Sequence, residues 1–121
     1  MEPIWITGMG FITSIGNDRS TVVQNLRDLR HGIENPDFLA VDSSPVKVAG
    51  TLKDFEVDSA DPEDWLYPSE FRVPRATIRS FSPHVLYAWC AVQQAIQDAS
   101  LSEDEVKDPK SGLYTSSGGS M

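Results

Sequence analysis

Few residues in the sequence combine a reactive side chain with a spacing that could support catalysis. Cys90 is the single cysteine, and a nucleophilic role would require a nearby base, a cation or a helix N-terminus to lower the pKa of its thiol. It lies instead between Trp89 and Ala91 in a helical pattern, which favours a buried, inert side chain. His31 and His84 are the two histidines, and neither has a second ligand or base at motif spacing. We therefore predict no catalytic residue, metal site or cofactor site in these 121 residues.

The first glycines raise the question of nucleotide binding, because a strand-like segment leads into Gly8, Gly10 and Gly16, as in a phosphate-binding turn. A dinucleotide-binding fingerprint needs the pattern G-x-G-x-x-G, and Thr13 stands where the third glycine of that pattern should be. The following helix is also predicted to begin near Asp18, too far from Gly8 and Gly10 to bring its N-terminal amides to a pyrophosphate. The pattern favours a structural turn, with a small Rossmann-like nucleotide binder as a weaker alternative.

Three arginines form the basic concentration of this acidic chain, at positions Arg72, Arg75 and Arg79. Their spacings of three and four would place them on one face of a helix. Arginine can hold a phosphate or a carboxylate through two parallel hydrogen bonds, so docking of an anionic partner is one interpretation. The other is a solvated surface whose arginines pair with local carboxylates such as Glu70, contacts that contribute about 0 to 1 kcal/mol each.

Hydrophobic periodicity predicts the first elements that would position these residues. Residues 4–7 are typical of a buried strand in a parallel sheet, and the glycines end that strand. Prolines and aspartates over residues 33–67 indicate irregular chain, interrupted by a short strand near residues 46–52. Between these segments an amphipathic helix is predicted over residues 18–31, with an apolar stripe of Val22, Val23, Leu26 and Leu29.

The second half of the chain predicts a longer helix over residues 82–100, whose apolar stripe is Val85, Trp89, Val92, Ile96 and Ala99. Residues 102–110 are charged and predict a loop, and residues 112–115 predict a strand that runs into a small-residue loop at 116–119. The order strand, helix, short strand, helix, strand predicts α/β layers with parallel strands and right-handed crossovers. A small-residue loop after a buried strand normally leads into another element, so we expect the sequence to be part of something longer.

Composition restricts the class of protein. A chain of 121 residues that is 40% hydrophobic is sufficient for one small domain with a single core. Its formal net charge of -8 opposes binding to nucleic acid or to anionic lipid. One cysteine cannot form an intramolecular disulfide, the N-terminus lacks the pattern of a signal peptide, and no apolar run approaches the length that crosses a bilayer. We therefore expect a cytoplasmic protein that engages neither nucleic acid nor membrane.

Five segments together resemble the N-terminal part of the β-ketoacyl-acyl carrier protein synthases, the condensing enzymes of fatty acid synthesis. "NLRDLRHGI", "VAGTLKDF", "YAWCAVQQAIQDASL" and "SGLYTSSGGSM" resemble that family's first helix, short strand, long helix, and final strand with its glycine loop. Residues 54–67 match the family poorly, and Pro83 lies where the long helix is usually under way. "WITGMGFITSIGND" resembles the opening strand and the V-T-G-x-G-x-x-[ST]-x-x-G signature, here Thr7, Gly8, Gly10, Thr13 and Gly16.

The resemblance implies a partial thiolase-like α/β fold: an incomplete first βαβ repeat with a mixed, mostly parallel sheet and flanking helices. It implies that residues 1–121 are an N-terminal fragment of the ketosynthase domain, and that Gly8, Gly10 and Gly16 shape a structural turn without binding a nucleotide. The family's cysteine nucleophile, two histidines and lysine lie beyond the glycine loop, and Cys90 does not match that nucleophile. We therefore expect the fragment alone to be inactive and marginally stable, and to associate.

The resemblance also implies partners. These are the remainder of the ketosynthase chain, a second subunit in a homodimeric parent, and acyl carrier protein. Arg75 and Arg79 precede the long helix, where members of the family commonly place basic residues that meet the acidic carrier protein. They are therefore the candidate docking residues. A noncatalytic α/β scaffold or partner subunit derived from a synthase is the alternative from a different functional class.

Overall fold

The computed structural model describes residues 3–116 and 118. Its longest element is a helix of 16 residues, and its strands are two residues long. In chain order the helices are α1 (Arg19–Arg27), α2 (Arg75–Ile78), α3 (Pro83–Asp98) and α4 (Glu103–Lys107), the strands are β1 (Ile33–Glu34) and β2 (Ala49–Gly50), and the 3-10 turns are Asp37–Leu39 and Pro62–Asp64.

The long helix α3 confirms the helix predicted over residues 82–100. Ser82 is its N-cap, and Pro83 occupies the first turn, where a missing backbone N–H costs nothing. Pro83 therefore starts this helix without kinking it. The buried face differs from the predicted stripe, because Leu86 and Cys90 are fully buried while Val85 is 44% exposed.

The core forms between that inner face of α3 and the irregular chain that precedes it. Trp65 and Phe71 join Leu86 and Cys90 in one buried cluster, and the partly buried apolar side chains around it are Ile12, Phe55, Val57, Tyr67, Val73 and Phe81. Trp65 also donates its indole N–H to the carbonyl of Ser59 at 2.8 Å, so its polar end is satisfied. Residues 54–81 are therefore fixed to α3 despite having little regular structure.

The amphipathic helix predicted over residues 18–31 is present but shorter. Asp18 is the N-cap of α1, and the helix ends at Arg27 because Leu29 takes a left-handed backbone conformation with φ of 54°. Val22 is buried, whereas Leu29, assigned to the same apolar stripe, is 90% exposed. The predicted stripe is thus only partly covered.

The sheet differs most from the predicted one. The short strand expected near residues 46–52 appears as β2, and it pairs antiparallel with β1 in the register Ile33 to Gly50 and Glu34 to Ala49. Residues 4–7 and 112–115 form no strand, so those two predictions are wrong for this structure. A strand needs a neighbour for its backbone N–H and C=O groups, and neither segment has one here. Within the described residues, strand pairing is therefore antiparallel alone.

Two further differences lie at the C-terminal end. Residues 102–110, predicted as a loop, contain α4, because Ser102 and Glu105 form a reciprocal capping box that satisfies backbone donors at the start of the helix. Acidic residues in the first turn and Lys107 in the last turn also match the helix dipole. The small-residue loop predicted at 116–119 falls partly outside the described residues.

The cap of α1 gives a stability prediction. Asp18 accepts from the Thr21 amide at 2.9 Å, and hydroxyl donors from Ser20 and Thr21 hold its pKa at about 2, below the ordinary 3.8. Asp18→Ala should lower the free energy of unfolding by about 1 kcal/mol at pH 7. Because the pKa of the folded state is the lower one, the cap stabilises the chain above about pH 4, and its effect is lost as pH falls towards 2.

Urea unfolding of the chain at several pH values measures this effect. Asp42→Ala is the matched control, since Asp42 is an exposed turn residue outside any helix. A loss of stability that is equal in the two variants, or that persists unchanged at pH 2, would show that the cap of α1 contributes nothing specific.

Candidate functional site

Gly16 lies in a tight turn directly before α1. Thr13 and Gly16 exchange backbone hydrogen bonds of 3.0 and 3.1 Å, and Gly16 has φ of 153°, a conformation that side chains other than hydrogen rarely permit. A Cβ at this position would also lie 2.8 Å from a methyl carbon of Thr21. The turn therefore requires glycine for backbone and steric reasons.

Gly8 and Gly10 lie against α3 in a segment without regular secondary structure. A Cβ at Gly10 would overlap the carbonyl oxygen of Ala91, and a Cβ at Gly8 would lie 2.6 Å from the amide nitrogen of Ala99. Both obstacles belong to the backbone of a helix, so they cannot move aside independently. Glycine at these positions lets the segment contact the helix directly.

The amides beside these glycines are already hydrogen-bonded. The amide of Met9 donates to Asp98 at 3.0 Å, and the amide of Phe11 donates to Gln94 at 2.9 Å. The Met9 amide, followed by the Arg19 guanidinium, holds the pKa of Asp98 below its usual range, so this carboxylate is ionised at neutral pH. A phosphate at this turn would meet an anionic side chain and occupied donors.

Cys90 and the histidines form no reactive arrangement in the described part of the chain. Cys90 is fully buried as predicted, and burial, with the negative charge of Glu70, raises the pKa of its thiol to about 11. His31 accepts a hydrogen bond from the Ile33 amide, and His84 packs against the ring of Tyr87. Over residues 3–116 and 118, no group of three or more histidine, cysteine or acidic side chains is placed to hold a metal ion.

The arginines predicted as docking residues lie at the two ends of α2. Pro74 precedes the helix, and Ile78 anchors it by burying its side chain. Arg75 and Arg79, four residues apart, extend outward with 82% and 65% of their side chains exposed. The predicted shared face is therefore present for Arg75 and Arg79, whereas Arg72 precedes α2 and lies outside any helix.

Both arginines contact one carboxylate. The Nε atom of Arg75 donates to one oxygen of Glu63, and the Nε atom of Arg79 donates to the other. Arg79 first, and then Arg75, lower the pKa of Glu63, while Glu63 raises that of Arg79. The carboxylate suggested from sequence, Glu70, forms no ion pair with these arginines in the structure.

A second surface feature is an apolar groove on the outer face of α3. Its volume is about 700 Å³, and it is lined mainly by Val85, Ala88, Trp89, Val92 and Leu113. The indole N–H of Trp89, one of these lining residues, is buried without a hydrogen-bond acceptor among the described residues. This face contains much of the apolar stripe predicted from sequence.

No helix in the described part of the chain is both long and apolar enough to cross a lipid bilayer.

Comparisons with a family model and with curated proteins indicate the same family. The family described as "Beta-ketoacyl synthase, N-terminal domain" matches residues 1–121. The chain is 35% identical over 114 residues to 3-oxoacyl-[acyl-carrier-protein] synthase 1 of Haemophilus influenzae, and 33% identical over 120 residues to the synthase 1 of Escherichia coli strain K12. It is 27% identical over 113 residues to 3-oxoacyl-[acyl-carrier-protein] synthase 2 of Staphylococcus aureus.

These matches cover 93%, 98% and 93% of this chain but only 25%, 26% and 25% of the respective relatives. The chain thus spans about a quarter of the length of the curated relatives that it matches. No solved structure matches the chain significantly.

The contact between the glycine segment and α3 gives a second stability prediction. Gly10→Ala should destabilise the chain by about 1 to 3 kcal/mol, because the new methyl group would overlap the carbonyl of Ala91 in a helix that cannot yield locally. Gly112→Ala is the control, since its Cβ would meet nothing closer than 3.4 Å. Thermal or urea unfolding of both variants measures the difference, and equal stability of the two would refute the close packing described here.

Proposed function

Since the chain belongs to the β-ketoacyl synthase family, we propose that it is an N-terminal fragment of a condensing enzyme of fatty acid or polyketide synthesis. The reaction proposed for the complete enzyme joins an acyl group, held as an enzyme thioester, to malonyl carrier protein. Loss of carbon dioxide from the malonyl group supplies the carbon nucleophile, which attacks the thioester carbonyl. The enzyme thiol leaves, and the product is a 3-oxoacyl carrier protein.

The described residues supply structure to this enzyme and not its nucleophile. Cys90 is buried, and its raised pKa of about 11 keeps it a neutral thiol at physiological pH. We therefore propose that these 121 residues have no condensing activity alone.

A second proposal concerns the fold of the complete domain and the apolar segments that have no partner in this structure. Ile4 and Tyr114 are 96% and 97% exposed, and Trp89, which lines the groove on the outer face of α3, has a buried indole N–H without an acceptor among the described residues. We propose that residues 4–7 and 112–115 become strands of a mostly parallel, thiolase-like sheet that covers this face in the complete domain. The remainder of the chain and a second subunit of a homodimer are the proposed partners.

Acyl carrier protein is the proposed transient partner of the arginine pair. The observation that supports this proposal is that Arg75 and Arg79 project together from α2 with most of their side chains exposed. The chain as a whole has a formal charge of -8 and repels an acidic protein at long range, so docking requires a local basic site of this kind. A guanidinium can engage acidic side chains or the phosphate of the phosphopantetheine arm through paired hydrogen bonds.

Two alternatives differ in the evidence they require. A noncatalytic partner subunit derived from a synthase would share the fold and the family match, and would lack a reactive cysteine and histidine pair elsewhere in its full sequence. The weaker alternative, nucleotide binding, conflicts with the structure at the glycines, because the Met9 amide already donates its hydrogen bond to the Asp98 carboxylate. We therefore favour the condensing enzyme.

Charge reversal of the arginine pair tests the docking role. In the full-length enzyme, Arg75→Glu combined with Arg79→Glu should reduce the association rate with acyl carrier protein by about tenfold or more at low salt. The reduction should shrink as salt rises, and turnover of small thioester mimics should be unchanged. Stopped-flow association and steady-state kinetics provide both readouts.

The matched control reverses two exposed arginines near the end of α1, Arg27→Glu combined with Arg30→Glu, which changes the net charge equally. Equal effects of the two double variants would indicate a general charge effect. Unchanged carrier-protein kinetics in the Arg75 and Arg79 variant would reduce this pair to ordinary surface residues.

A further inference from the structure

Glu63 sits where an anionic group of a docking partner would have to bind. Each of its two carboxylate oxygens accepts from the Nε atom of a different arginine, Arg75 or Arg79. We propose that Glu63 is an internal competitor that weakens and tunes the binding of an acidic carrier protein to this arginine pair. The proposal rests on the docking function proposed above and concerns the regulation of that same surface.

The position of Glu63 is fixed by the backbone around it. Glu63 lies in the 3-10 turn Pro62–Asp64, and the side chain of Asp61 caps that turn by accepting from the Glu63 amide at 2.9 Å. Trp65 follows directly and is buried in the core, where its indole N–H donates to Ser59. The carboxylate is therefore presented by an anchored turn and does not depend on a free loop.

Exposure distinguishes the carboxylate from the arginines that it contacts. The Glu63 side chain is only 13% exposed, whereas those of Arg75 and Arg79 are 82% and 65% exposed. The acid thus lies beneath the two guanidinium groups, and the basic groups face solvent. A partner approaching from solvent meets the arginines first and competes with Glu63 for them.

The hydrogen bonds show what the partner can still use. A guanidinium offers a side edge, which includes Nε, and an end edge formed by its two terminal nitrogens. Glu63 accepts from the Nε donor of both arginines, so the side edges are engaged, while the terminal nitrogens donate to no carboxylate within the described residues. Glu63 also cancels one of the two positive charges. Competition should therefore reduce affinity without abolishing it.

The segment that carries Glu63 has a bearing on specificity. The 3-10 turn Pro62–Asp64 packs against α2 and brings Glu63 and Asp64 close to that helix. Asp61 adds to the negative field around Arg79. A weakly acidic partner would be rejected by this internal competition, whereas a strongly acidic protein or one bearing a phosphate could displace Glu63.

Glu63→Gln in the full-length enzyme tests the proposal, with holo acyl carrier protein as the probe. Removing the competing charge should increase affinity about two- to fivefold at low salt, the range set by exposed ion pairs. The gain should appear mainly in the association rate and decline with added salt. It should vanish when Arg75 and Arg79 are both glutamate, because the charge that is released no longer exists.

Asp64→Asn is the matched control. It removes the same charge from the same 3-10 turn, and Asp64 contacts Ser59 rather than either arginine. Glu63→Ala provides a second variant, and circular dichroism checks that each protein is folded. Equal gains from Glu63→Gln and Asp64→Asn would overturn the competitor role in favour of a general charge effect.

A lower or unchanged affinity in both Glu63 variants would also overturn it, and would show that Glu63 orients the arginines or has no effect on docking. Neither result would remove the docking function itself, which is tested separately by charge reversal of the arginines. If charge reversal of the two arginines leaves the binding of acyl carrier protein unchanged, the proposed docking function is refuted, whatever the result at Glu63.

Discussion

The arrangement of this chain depends on one close approach, in which the backbone of Gly8 and Gly10 lies directly on the backbone of α3. Because no side chain separates the segment from the helix, the amides that follow these glycines reach Asp98 and Gln94. Asp98 also binds Arg19 at 3.0 Å, so the same contact attaches α1 to α3. The glycines thus join the start of the chain to its longest helix, and the hydrogen-bond donors that could have held a phosphate are used for that purpose.

The inner face of α3 holds in place the segments that form the candidate docking surface. Leu86 and Cys90 bury themselves against Trp65 and Phe71, which fixes the irregular residues 54–81 without regular strands. Trp65 holds the turn that presents the acidic side chain, and the buried Ile78 holds the helix that presents the two arginines. A compact apolar cluster therefore sets the spacing of a charged surface feature, although that feature is itself mostly solvated.

Local sequence patterns were informative where local interactions decide the structure. Helical periodicity and the tolerance of proline in a first turn predicted α3 closely, and an interval of four residues predicted that Arg75 and Arg79 share a face. The pairing with Glu63 was not predicted, because it joins residues 12 and 16 positions apart through an irregular segment. The strands predicted at residues 4–7 and 112–115 are absent from this structure, since a strand depends on a neighbour that sequence periodicity cannot supply. The charge of residues 102–110 predicts a loop, whereas the capping box of Ser102 and Glu105 starts a short helix there.

Hydrogen exchange tests most directly the claim that this chain is one part of a larger synthase domain whose sheet covers the outer face of α3. Amide protection would be measured at residues 4–7 and 112–115 in the isolated chain and in the full-length protein. The account predicts rapid exchange in the isolated chain, where Ile4 and Tyr114 are almost fully exposed, and strong protection in the full-length protein, where these segments are proposed to be paired strands. Rapid exchange of both segments in the full-length protein would contradict it.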